Sequence, residues 1–189
     1  MNKNNEDNLI EVATKEENVD SVLALFANEK SIKKKIIEDF TNKTCNKAKE
    51  LGFETYIDEG FCEEEETFIT FSIPSQSSKW ALFIGTYKKS AKDMFYDISI
   101  MKDASSKIKK ADMASIPHLW KTFEQDKTRP CGWSFFWSES GKKRSGKWYD
   151  WYDTETLQAM VDGRLLKYIT DNVFIPIIES KVLATLDKF

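Results

Sequence analysis

The chain is poor in the residues that most often carry chemistry. It has one histidine, His118, and three cysteines, Cys45, Cys62 and Cys131, in 189 residues. An odd and widely spaced cysteine set excludes a disulfide framework and offers no CxxC pair of the zinc-binding kind. A single histidine excludes a two-histidine zinc site, and any Ser-His-Asp arrangement would rest on His118 alone, with no GxSxG turn beside it. A reducing, cytoplasmic setting is expected.

Long apolar runs are missing too. MNKNNEDNLIEVATKEEN contains no apolar core of a signal peptide, and nowhere do about 18 apolar residues follow one another, so neither a leader nor a membrane span is expected. A basic excess is likewise absent. With 31 acidic and 28 basic residues the net charge is −3, which argues against the generalised attraction to phosphate backbones of a basic domain.

What is present is a core-forming set: 41% hydrophobic residues, with 13 Phe, 6 Tyr and 6 Trp. That content, in a chain of this length, predicts one globular α+β domain over residues 18–189, preceded by a polar, frayed arm over residues 1–17. A short helix is expected to start at Asp20 and to carry Val22, Leu23, Leu25 and Phe26. A longer one is expected from about Ser31 to Gly52, with Ile32, Ile36, Ile37, Phe40, Ala48 and Leu51 at helical spacing. Its basic run, Lys33 to Lys35, reads as a solvated face.

After Phe53 the period changes to two. Strands are expected at 53–58, 67–73, 79–87 and 94–101, joined by short polar connections with no room for a helical crossover, hence an antiparallel meander. A surface loop or short helix is expected over 102–129, and a fifth strand over 133–137. Asp153 should cap a helix that continues, interrupted at Gly163 and kinked at Pro176, almost to the end. The fold expected is therefore an antiparallel meander sheet of about five strands packed against a long N-terminal helix and C-terminal helices.

Residues 131–151, CGWSFFWSESGKKRSGKWYDW, hold four of the six tryptophans and a basic cluster. Gly141 to Lys147 spells GxxxxGK, but Trp148 stands where a phosphate-binding loop needs Ser or Thr, and no helix follows directly. No cofactor site is spelled out. The same stretch supports two binding readings. Lys142, Lys143, Arg144 and Lys147 could meet phosphates while Trp148 and Trp151 stack on the bases of single-stranded nucleic acid, or the tryptophans could form an aromatic patch for a protein partner. Packing of the sheet to the C-terminal helix is the third reading of those tryptophans. Asp58, Glu59 and Glu63 to Glu66 form an acidic loop that could present hard oxygen ligands to magnesium or manganese, although consecutive glutamates do not converge on one point and usually are simply solvated.

The order ELGF, ETFITFSIP, WALFIGTYKK, MFYDISIM, CGWSFFW, KWYDWYD, TLQAMVDGRLLKYITDNV, over roughly residues 30–185, resembles the C-terminal accessory module of bacterial PD-(D/E)XK nuclease superfamily proteins. That resemblance implies a helix-and-sheet module acting as an interaction protein, in some cases coded by a mobile element. The nuclease motif needs an acidic residue and E-x-K or D-x-K on adjacent strands, whereas the E-x-K here, Glu179-Ser180-Lys181, falls within the expected last helix. No catalytic residue is carried over. The leading expectation is a non-enzymatic, protein-binding module, with single-stranded nucleic-acid binding and a diverged metal-dependent nuclease using Asp58 and Glu59 as alternatives.

Overall fold

A computed structural model describes residues 10–88, 92–100, 134–138 and 150–188. A helical turn over residues 10–13, within the segment expected to be a frayed arm, is followed by two helices, α1 (Glu16–Ala27) and α2 (Glu29–Glu50). The expected start of α1 at Asp20 is corrected: the helix begins at Glu16, and Asp20 lies inside it. Glu16 and Glu17 occupy its first turn, where carboxylates favour the exposed N–H groups, and this draws the boundary back into the segment expected to be a frayed arm. Residues 1–9 of that segment lie outside the described residues.

In α2 the buried residues are Ile37, Phe40, Thr41, Thr44, Cys45 and Ala48, a stripe at three- and four-residue spacing. Ile32, expected on that stripe, is 39% exposed and lines an open groove instead of the core. Gly52 ends the helix in a left-handed conformation (φ 91°), and Phe53 turns directly into the core.

The sheet runs β1 (Glu54–Ile57), β2 (Thr67–Ser72), β3 (Trp80–Lys88) and β4 (Lys92–Ile100), each antiparallel to the next. A further segment, β5 (Ser134–Ser138), pairs antiparallel on the free side of β4, with an irregularity at Ile98/Ser99. Register places Ile69, Ile84 and Tyr96 in one row and Phe71, Leu82 and Ile98 in the next, all pointing to the helices. The opposite face carries Phe68, Gly85 and Phe95 in register, flanked by Phe83. Phe68 meets Phe83 and Phe95 edge-on, with ring centroids 6.1 and 5.8 Å apart. Phe95 is buried, so both faces of β4 are covered, which explains an apolar pattern denser than simple alternation.

The C-terminal layer consists of α3 (Thr154–Val161), α4 (Arg164–Ile169), a π-helical turn (Thr170–Phe174), α5 (Ile175–Ser180) and α6 (Val182–Leu186). Asp153 caps α3 as expected, its Oδ1 accepting from the N–H groups of Glu155 and Thr156. Gly163, with φ 84°, separates α3 from α4. At Pro176 the helical path widens instead of breaking. Proline cannot donate to the carbonyl four residues back, and the Ile175 N–H reaches the Thr170 carbonyl, leaving Pro176 in the first turn of α5. Phe174, brought inward there, packs against Phe53 and Phe71 at 5.2 and 5.0 Å and ties the terminal helices to the sheet. Among the described residues no helix is long and apolar enough to cross a membrane.

Ser77 fastens the end of the chain to the sheet. Buried in the turn before β3, its hydroxyl donates to Asp187 Oδ1 (2.7 Å) and accepts from the N–H groups of Lys79 (3.0 Å) and Trp80 (2.8 Å). Ser77→Ala is expected to destabilise the protein by about 2 kcal/mol, because the Trp80 N–H loses its acceptor inside the core. A lower urea midpoint at unchanged slope would register this, and an unmoved midpoint would show that water replaces the hydroxyl.

Candidate functional site

Two concave surfaces share α2. The first is a cleft of about 320 Å³ between α2 and the loop after β1, lined by Lys34, Glu38 and Thr41 on the helix, Asp58 and Phe61 to Glu63 on the loop, and Tyr152 before α3. The loop is shaped by left-handed residues. Gly60 (φ 74°), Cys62 (φ 68°) and Glu66 (φ 56°) all take positive φ. For Cys62 and Glu66 that conformation costs on the order of 1 kcal/mol or more each. Burial of the Cys62 side chain and backbone bonds from Glu63 and Glu64 N–H to the Gly60 carbonyl (2.8 and 3.0 Å) offset it.

The charges in the cleft are interlocked. Lys34 Nζ pairs with Glu63 across the cleft and approaches Glu38 at 4.0 Å along the helix. The Glu63 carboxylate, by hydrogen bond and then by charge, raises the Lys34 pKa above its ordinary value. Asp58 is used structurally: its Oδ2 accepts the Phe68 N–H at 2.9 Å, closing the β1–β2 connection. Burial pushes the Cys62 thiol well above its usual range, so it is a packed, protonated side chain rather than a poised nucleophile. Burial likewise raises Tyr152, with Cys62 and Glu63 adding to the effect and Lys34 and Lys33 opposing it.

The acidic loop therefore does not converge as a metal site would. Among the described residues no group of three or more His, Cys, Asp or Glu could hold a metal ion. Lys34 and Lys35 match the expected solvated face, 49 and 67% exposed, Lys35 paired to Asp39 (2.9 Å) and Lys34 reaching Glu63 at the mouth of the cleft. Lys33, paired to Glu29 (2.6 Å), is 27% exposed and lies against the second of the two surfaces.

The second surface is an open groove of about 690 Å³ where the α1–α2 corner meets α3, walled by Leu25, Phe26, Ile32, Ile36, Leu157 and Val161. Leu25, Phe26 and Val161 are 60, 71 and 64% exposed, and α1 buries none of its residues.

Of the residues singled out in the 131–151 stretch, Lys142, Lys143, Arg144, Lys147 and Trp148 lie outside the described residues, as do His118 and the expected loop over 102–129. Trp151 is described, and its expected role as a binding contact is corrected. It is 1% exposed, with its ring edge-on to Phe40 at 5.3 Å and to Phe61 at 6.0 Å. It joins α2 to the cleft loop from inside the core, because a large flat ring is the best filler of a junction where helix, loop and the entry to α3 meet. Glu179-Ser180-Lys181 also differs from its expected place inside a continuous helix, since α5 ends at Ser180 and Lys181 is left-handed (φ 51°).

Sequence reasoning missed Lys34, Thr41 and Tyr152 as neighbours of the acidic loop, since nothing in their local spacing brings them together. The groove had a visible signal, the apolar cluster Leu23, Leu25 and Phe26, which reads equally as core. No family model, no curated protein and no solved structure matches this chain.

Proposed function

We propose that the chain is a non-enzymatic interaction module that docks an amphipathic helix of a protein partner in the groove between the α1–α2 corner and α3. The observation that carries this reading is the exposure of Leu25, Phe26, Ile32 and Val161 along one concave wall. Contiguous apolar surface of this kind is kept in water at a cost and marks a contact site. The groove is bounded by helices, the setting in which a partner helix inserts residues at i, i+3, i+4 and i+7. Its charged members, Glu29 and Lys33, neutralise each other at 2.6 Å, so the fitting stripe is apolar rather than charged.

Anisotropy of a labelled, Leu-rich amphipathic helical peptide tests it. Phe26→Asp with Val161→Asp is expected to weaken binding by at least about tenfold, the loss of two apolar anchors, while leaving the melting temperature nearly unchanged because both side chains are exposed. Equal affinity in the variant would reject the groove as the docking site. A dimer seen by sedimentation, dissolved by the same changes, would give the groove to a second copy of the chain instead.

A further inference from the structure

The cleft between α2 and the Asp58–Glu63 loop is independent of the apolar groove and has its own chemistry. Its lining sets one cation, Lys34, against three carboxylates, Glu38, Asp58 and Glu63, so negative charge exceeds positive by two. The Lys34 ammonium sits against Glu63 and meets Glu38 only at 4.0 Å. One turn further along α2, Thr41 lines the same cleft, is 5% exposed, and its Oγ1 has no hydrogen-bond partner. A buried hydroxyl oxygen without a donor is costly to keep, and a donor brought by a ligand would satisfy it. Phe61 and Tyr152 supply aromatic surface, and Ile37 and Ile57 supply aliphatic surface for a short stem.

We propose that this cleft binds the cationic head of an alkylammonium or alkylguanidinium group, held by Glu38 and Glu63 at the rim, with Thr41 as a neutral acceptor and the Phe61 and Tyr152 rings beside its stem. Lys34 is the internal rival for that place. Its ammonium, bridging toward the same two carboxylates, shows the chemistry they select, and a ligand has to share or displace it. The head group can belong to a free amine or guanidine, or to a lysine or arginine side chain of a protein.

Calorimetric titration with agmatine, and in parallel with an end-blocked arginine tetrapeptide, tests this on the whole chain. Saturable agmatine binding that weakens with added salt is expected. Glu38→Gln with Glu63→Gln should lower the affinity at least about tenfold, since each charge-assisted bond contributes strongly. Both side chains are about half exposed (49 and 47%), so the fold should persist, which circular dichroism checks. Lys34→Met should do the opposite and tighten binding by up to about fivefold, the worth of an exposed ion pair that no longer competes. A merely structural Lys34 would not produce that gain. Binding of agmatine alone assigns the cleft to a free amine or guanidine, and binding of the tetrapeptide as well assigns it to a protein side chain. Binding of neither probe, or undiminished agmatine binding in the Glu38→Gln/Glu63→Gln variant, overturns the proposal.

Discussion

Trp151→Ala is expected to lower the unfolding free energy by about 3–5 kcal/mol, a large share of the roughly 5–15 kcal/mol that holds a domain of ordinary size. The ring is 1% exposed and meets Phe40 on α2 and Phe61 on the cleft loop edge-on, so its removal opens a cavity that rigid elements on both sides cannot close. Trp151→Phe is expected to cost much less. The indole Nε1–H is buried without a hydrogen-bond partner, and phenylalanine removes that unsatisfied donor along with part of the volume. Equilibrium urea unfolding of the two variants separates these effects. A loss below about 0.5 kcal/mol for Trp151→Ala, the range of an exposed position, would return Trp151 to the surface and to the binding role first expected of it.

Gly85→Ala is expected to destabilise by about 3 kcal/mol or more, although alanine is the smallest possible addition. A Cβ on Gly85 would lie 2.3 Å from Phe68 Cδ1 and 2.9 Å from the Thr67 carbonyl oxygen. The ring could rotate, but it is hemmed by Phe83 and Phe95, and the carbonyl belongs to the neighbouring strand's backbone. Glycine in a strand interior, ordinarily a weakness, is here the space into which Phe68 folds. Phe68→Ala should therefore rescue Gly85→Ala in part, a coupling that a double-mutant cycle on urea midpoints would detect. Strictly additive losses would show that the strand pair, not the ring, resists the methyl group.

Much of the architecture was legible because it is local. The change from helical to two-residue spacing after Phe53 marks where α2 gives way to the sheet, and the brief connections at Pro74–Ser78 and Lys88–Lys92 leave antiparallel pairing as the only geometry the chain can reach. Asp153 was readable as a cap for the same reason, since its side chain bonds groups two and three residues away. Pro176 was half legible. Its missing N–H announced a disturbance, but not that the helix would widen there with Phe174 packed against Phe53 and Phe71.

The candidate surfaces were not legible in the same way, because exposure is a property of partners rather than of residues. Leu23 and Phe26 have the same i,i+3 spacing as Ile37 and Phe40, yet the first pair is exposed and the second is core. Trp151, by its neighbours in sequence, belonged with the basic tip, while its neighbours in space are Phe40 and Phe61.

By itself the sequence determined an α+β chain with an antiparallel sheet between helices, since periodicity, caps and loop lengths act over a few residues. Only the tertiary structure decided that Lys34 reaches from its helix to Glu63 on the loop, that Trp151 is a core residue, and that the apolar side of α1 stays open. The reason is physical. Charge pairing, cavity filling and exposure depend on which distant segments arrive at the same place, and that is fixed when the layers pack.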